Sequence, residues 1–356
     1  MKGTVLNIAP NPLKEYYIAY FDILGYREFF KTQPEKVPEL LNVIHNAVKR
    51  EKEHISNANR SPILSQIGLI EINEKIFSDN FLLCMEVLDS PFEQVRFLAF
   101  LQIVADIQRG FVNDYGLFVR GGICKGQLSF NENYVFGEGL IKAVEIEEKE
   151  AQYPRIVISG NLIEYFRKNV FYTQDDLNQA TEIEKRIDNK KEVSADEQLI
   201  YDSFKIKMKM YISIMQIMNY LLFPCADEKY MLCYLNNIDL EKLWGNQLKS
   251  CVIDRLKQYS PLDYSLVSVP SPQFEGVLNI HKTRVEDNLK KYGNNRDIET
   301  QAVSDAEQRE KILRKYIWIM AFHNDICDYY QKTDLKILTK CNCDRRFVKT
   351  TIEVLE

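Results

Sequence analysis

Apolar positions along this chain alternate between short continuous runs and runs spaced by three or four residues. Their order predicts an α+β fold. Tyr17-Ile18-Ala19-Tyr20-Phe21 lies within a strand expected over 16–25. A helix is expected over 26–56, because Val37, Leu40, Leu41, Val43, Ile44 and Val48 recur near a 3.6-residue period. Residues 67–77 and 80–87 read as two strands meeting at the polar turn Ser78-Asp79-Asn80. The next helix, from Pro91 to Tyr115, carries the stripe Val95, Leu98, Leu101, Val104, Ile107 and Phe111. A glycine-bearing strand from Leu117 to Leu128 follows, then a helix over 138–151 and the strand Arg155–Ser159. Strand, helix, strand, strand, helix, strand is the split β-α-β order of a ferredoxin-like palm (βαββαβ).

Beyond this unit the rhythm changes. Residues 174–200 are strongly charged with few apolar anchors and read as an insertion or solvated helix without a core of its own. Tyr230–Asn236 is a strand expected to rejoin the sheet. The remainder reads helical, notably 281–291 and 305–330. The expected organisation is a domain over 1–238 followed by a helical C-terminal extension over 239–356.

The bulk numbers narrow the classes. A length of 356 residues allows one large domain or two. A net charge of −5 gives no overall reason to expect nucleic-acid binding. No run approaches a membrane span, the most apolar being Tyr211–Phe223 with polar interruptions, and the first residues lack the apolar core of a signal peptide. The eight cysteines are scattered, several inside apolar runs. Cys341 and Cys343 have no second close pair with which to build a zinc site. A reducing, cytoplasmic setting is the expectation. The four histidines show no metal-ligand spacing; His323-Asn324 near Trp318 reads as a packed, hydrogen-bonded core feature.

The candidate chemistry lies in two aspartates. Asp22 closes the first apolar strand, and Asp79 sits at the hairpin turn. Each alone reads as a strand-end, capping or turn residue. On neighbouring strands, two such carboxylates suit a hard divalent cation carrying nucleotide phosphates.

Phe21-Asp22-Ile23-Leu24-Gly25-Tyr26 resembles the first metal-binding motif of class III nucleotidyl cyclases, and Phe77-Ser78-Asp79 is similar to the hairpin that supplies their second metal aspartate. Arg120-Gly121-Gly122-Ile123-Cys124-Lys125-Gly126 fits their arginine-x-glycine-isoleucine-x-x-glycine strand. Phe136-Gly137 with Ala143 and Glu147 fits the helix that follows. The four motifs come in order and span about 20–160. Departures accompany them. The asparagine and transition-state arginine of that helix fall on Ile141 and Glu145, and the base-reading aspartate and lysine fall on Tyr134 and Asn73. Retention of the metal half alone resembles the divergent bacterial cyclases that make cyclic pyrimidine nucleotides in anti-phage signalling, the Pycsar systems.

The resemblance implies a nucleoside triphosphate substrate, UTP or CTP, cyclised to the 3′,5′-monophosphate with release of pyrophosphate. It implies two Mg²⁺ or Mn²⁺ ions per site on Asp22, Asp79 and the Ile23 carbonyl. Gly25, Tyr26, Asn73 and Tyr134 are expected around the nucleotide. Lys142 is the first choice to replace the missing arginine, with Lys125 and Arg155 as alternatives; Arg120 is expected to pair with a carboxylate. A homodimer with sites at the subunit interface follows, as does a separate effector protein that reads the cyclic nucleotide. Two other readings are a purine cyclase and a catalytically silent cyclase-like domain that binds a nucleotide or a partner. A palm-type polymerase or diguanylate-forming enzyme is disfavoured, because Phe77-Ser78-Asp79-Asn80 is not a Gly-Gly-Asp-Glu/Phe hairpin.

Overall fold

The computed structural model describes residues 11–58, 71–90, 93–168, 174–236, 274–293 and 303–338. At its centre is β1 (Lys14–Leu24), whose apolar run spends almost its whole length buried. Helix α1 (Tyr26–Thr32) follows, then a single 3₁₀ turn over Pro34–Lys36 and α2 (Val37–Ala58). The continuous helix expected over 26–56 is therefore broken. Gln33 precedes a proline, a position from which the α region is sterically disfavoured, and it takes φ −142°, ψ 54°.

The hairpin pairs β2 (Asn73–Phe77) with β3 (Asn80–Glu86) across the turn Ser78-Asp79, where Ser78 has φ 63°. The part of the expected first strand over 67–70 lies outside the described residues. Helix α3 (Glu93–Gly110) ends in a π turn over Phe111–Tyr115. Then come β4 (Phe118–Phe130), the short β5 (Val135–Phe136), α4 (Glu138–Glu145) with a π turn over Ile146–Glu150, and β6 (Ile156–Ile158). The remaining elements are α5 (Gly160–Lys168), α6 (Gln174–Asp188), α7 (Ala195–Leu221), β7 (Leu222–Pro224), β8 (Tyr230–Leu232), α8 (Phe274–Gly293) and α9 (Val303–Tyr329).

Strand order is β2-β3-β1-β4-β6-β8-β7, with β5 paired to β4. The first four strands, all antiparallel to their neighbours, have the order and directions of a ferredoxin-like unit. β6 then adds parallel to β4, and β8 joins antiparallel as expected. Successive side chains of β1 face opposite sides of the sheet. Tyr17, Ala19, Phe21 and Ile23 enter the larger core with α2, α3, α8 and α9, and Tyr16 and Ile18 enter a smaller one under α4. Close approach of α4 depends on Gly122, where a Cβ would meet Ile146 Cβ at 2.6 Å and the Ala143 carbonyl oxygen at 2.7 Å.

The charged stretch is more ordered than its composition suggested. Arg186 pairs with Glu197, Ser194 and Glu197 form a capping box at the start of α7, and Ala180, Phe204 and Met208 make a small apolar cluster. Residues 237–273, and Cys341 and Cys343, lie outside the described residues. Among the described residues no helix is long and apolar enough to cross a membrane.

Candidate active site

Strand parity puts Asp22 on the α4 side of the sheet, between the buried, core-facing Phe21 and Ile23. In register, Asp22 lies opposite Asn80 of β3 on one side and Arg120 of β4 on the other. The backbone N–H of Ile23 donates to the Asp79 carbonyl at 2.9 Å, which ties the hairpin turn to the residue after Asp22. Asn80 supports the corner: its Oδ1 accepts from the Tyr20 hydroxyl at 2.8 Å, and its Nδ2 lies 3.5 Å from Asp79 Oδ1. The two aspartates that are far apart in sequence thus share one end of the sheet.

Arg120 stands between two carboxylates. Its guanidinium is ion-paired to Glu147, which is almost fully buried, and lies 3.8 Å from Asp22 Oδ2. Burial raises the Asp22 carboxyl above its ordinary range; Arg120 opposes this, Asp79 adds to it, and Lys315 and Arg27 oppose it further. Glu147 is also raised, first by burial, against Arg120 and with Asp22. Lys315, reaching in from α9, is lowered by burial and by Arg120, while Asp22 and Glu147 pull it up. Three carboxylates and three cations therefore sit within electrostatic reach, and Asp22 and Glu147 are held where losing a proton is costly.

That arrangement fits a hard cation. A divalent ion would replace lost hydration at Asp22 and relieve the repulsion from Asp79, and carboxylate and carbonyl oxygens are the donors Mg²⁺ and Mn²⁺ take. Among the described residues no group of three or more His, Cys, Asp or Glu side chains forms a preassembled metal cluster.

The other expected site residues are distributed unevenly. Gly25 takes the left-handed conformation (φ 82°, ψ 6°) and starts α1, its carbonyl accepting from the N–H groups of Glu28 and Phe29. Tyr26 packs partly against the larger core and beside Phe30. Asn73 opens β2 opposite Cys84. The cation that β2 presents is Lys75, whose Nζ donates to the Glu132 carbonyl and lies over the Phe130 ring. Tyr134 belongs to the β4–β5 turn, and its hydroxyl accepts from the Asn11 N–H at 2.6 Å.

Lys142 is placed differently from the expectation within one chain. On α4 its charge acts on the buried Cys124, and it is not among the charged neighbours of Asp22. Lys125 pairs with Glu15 and lies over Tyr165. Arg155 is bound by Asp227 and the Glu150 carbonyl, beside the stacked Tyr153 and Trp318 rings. Neither alternative is available to a phosphate. The cations that do reach Asp22 are Arg120, Arg27 and Lys315. In the sequence Lys315 shares a helical apolar stripe with Ile312, Ile319 and Phe322.

No protein-family model matches this chain, and no curated protein is similar to it in sequence. Among solved structures it is similar to the guanylyl cyclase Cya2, at 14% identity over 44% of this chain and 80% of that one, with a TM-score of 0.29. It is also similar to the adenylyl cyclase CyaB from P. aeruginosa, at 15% identity over 45% of this chain and 83% of that one, with a TM-score of 0.31. Values this low transfer no chemistry to this chain.

Proposed function

We propose that the chain is a divalent-metal-dependent nucleotide cyclase acting on a nucleoside triphosphate. The observation that carries this reading is the Ile23 N–H to Asp79 carbonyl bond, which holds a second aspartate beside the desolvated Asp22. In the reaction the ribose 3′-oxygen forms a bond to the α-phosphorus, the bond to the bridging β-phosphate oxygen breaks, and pyrophosphate leaves. Bound Mg²⁺ or Mn²⁺ would acidify the attacking hydroxyl and offset triphosphate charge, held by Asp22, Asp79 and the Ile23 carbonyl. Arg120, fixed by Glu147, keeps the Asp22 carboxylate in place from the neighbouring strand.

The substrate is proposed to be a pyrimidine nucleotide, because the positions aligned with purine reading hold Asn73 and a Tyr134 whose hydroxyl is already engaged. A role in anti-phage signalling through a separate effector belongs to the same reading. So does a homodimer with sites at the interface, one on each side of a two-fold axis. Ile76, Phe77, Phe136 and Ile141 are exposed apolar residues on the hairpin, β5 and α4, and Ile141 is 63% exposed. A second copy covering them is the arrangement this reading expects.

Incubating the purified protein separately with ATP, GTP, CTP and UTP, with Mn²⁺ or Mg²⁺, tests this directly by chromatography and mass. One cyclic pyrimidine monophosphate is the expected product. A cyclic purine would move the reading to the purine class. Metal-dependent triphosphate binding without turnover would establish the silent domain, for which Ile141 and Glu145 in place of asparagine and arginine already argue.

A further inference from the structure

Helix α9 has an amphipathic stripe in which Ile312, Ile319 and Phe322 face the larger core, and Lys315 occupies the same stripe. A lysine there is desolvated and ordinarily answered by a carboxylate in contact. Among the described residues Lys315 closes no ion pair, although Asp22, Glu147 and Arg120 all act on its charge. Its neighbours pin it in place. Tyr316 meets Phe118 edge-on at 5.6 Å, at the start of β4 two residues before Arg120, and Trp318 stacks on Tyr153. From α8, Tyr292 stacks on Tyr316 and its hydroxyl donates to Glu28 on α1 at 2.9 Å; Lys291 also pairs with Glu28. The C-terminal helix pair is thereby fastened to the helix that begins just after Asp22.

We propose that Lys315 is a phosphate-contacting residue of the candidate site, delivered in the same chain by the C-terminal helices. Asp22 and Asp79 are carboxylates and cannot themselves contact a triphosphate favourably, while Arg120 is committed to Glu147. Lys315 is a half-buried ammonium with donors to spare, on the helix whose next residue, Tyr316, packs on Phe118 two residues before Arg120. A divalent ion held by Asp22 would offset the carboxylate charge that acts on Lys315, leaving the ammonium for an anionic oxygen. On this assignment the C-terminal helices are part of the active site.

The inference rests on the cyclase reading, and one experiment separates the two. Binding of inorganic tripolyphosphate in Mg²⁺ is measured by calorimetry for the unaltered protein, Lys315→Met, Lys315→Arg, Asp22→Asn and the exposed control Lys311→Met. Thermal melts verify folding, and KM and kcat are measured for the preferred nucleotide where there is turnover. Lys315→Met is expected to weaken tripolyphosphate about 10- to 100-fold, the worth of a charge-assisted hydrogen bond, with Lys315→Arg recovering part and Lys311→Met unchanged. Tripolyphosphate affinity unaltered in Lys315→Met, while Asp22→Asn loses it, overturns the role of Lys315 and leaves the cyclase reading intact. No Mg²⁺-dependent tripolyphosphate binding by the unaltered protein overturns both.

Discussion

Two polar clusters of this molecule draw on the same helix, about two turns apart on α9, and they are built on opposite principles. Around Lys315 gather Asp22, Glu147 and Arg120, with both carboxylates raised by burial and an ammonium that closes no ion pair among the described residues. Around His323 every polar group is satisfied. His323 Nε2 lies 3.0 Å from the Leu335 carbonyl, which only accepts, so that nitrogen carries the proton. His323 Nδ1 is then an acceptor for the N–H of His281 Nδ1 at 3.0 Å; His281 Nε2 in turn accepts from the Tyr234 hydroxyl at 2.7 Å. Asn324 closes the set with reciprocal bonds to Ile337. One cluster is neutral and complete, and ties β8, α8 and α9 together. The other is charged and incomplete, which is what a site awaiting a cation and an anion looks like.

The largest effect should come from breaking the incomplete cluster. Asp22→Asn is expected to reduce cyclase turnover to background and abolish Mg²⁺-dependent nucleotide binding. Its free energy of unfolding in urea should change by less than about 1 kcal/mol, since Arg120 retains Glu147. Turnover retained in Asp22→Asn would end the metal assignment. Asp79→Asn should act alike on binding, since Asp79 is held to Ile23 through its backbone and not its carboxylate.

Breaking the complete cluster should do the reverse. His323→Leu strands the His281 N–H and the Leu335 carbonyl in a buried setting, at a cost of roughly 2–4 kcal/mol in urea unfolding. Its KM below the melting range should match the unaltered protein. A smaller loss, about 1–3 kcal/mol, is expected for Gly122→Ala, where the new methyl collides with Ile146 and the Ala143 carbonyl. That variant pushes α4, and with it Glu147, away from β4, so its kcat should fall while the His323 cluster stays intact.

Much of this architecture was legible in the residues. The run Tyr17–Phe21 marked the central strand, and hydrophobic periodicity ordered the ferredoxin-like unit, because buried strands and amphipathic helices leave local patterns. The break at Gln33-Pro34 was also written locally, but the apolar stripe crossing it suggested one helix where proline sterics dictate two. Asp22 and Asp79 stood out by position, while their being brought together depends on a β1–β3 register that no local pattern displays. Lys142 was chosen by its closeness to aligned positions on one helix, and on α4 its charge acts on Cys124. Lys315 was not foreseeable as a site residue. A lysine on an apolar stripe announces burial, whereas its neighbour Asp22 comes from the other end of the chain.

The smallest effect is a difference of sign with pH. Burial holds His281 and His323 below the ordinary histidine range of 6.5; His323 adds to this at His281, while at His323 the Leu335 carbonyl opposes it and Lys282 adds to it, and Tyr234 and Cys327 are the other titratable groups alongside. Below 6.5 the unfolded chain binds protons that the folded pair refuses, so stability falls as pH drops through 6.5. Asp22 and Glu147 are shifted the other way, upward, so between their ordinary values of 3.8 and 4.5 and their raised ones the folded state binds the extra protons. Acidification in that window relieves the fold, while metal affinity falls because the metal requires the ionised carboxylate. Urea unfolding and Mg²⁺ titration across pH 4.5–7.5 should therefore separate. His323→Leu should flatten the stability curve near 6 and leave the metal curve alone. Asp22→Asn should leave the stability loss near 6 in place and remove the metal curve. A common response of both curves in either variant would mean that the two clusters on α9 are one coupled network.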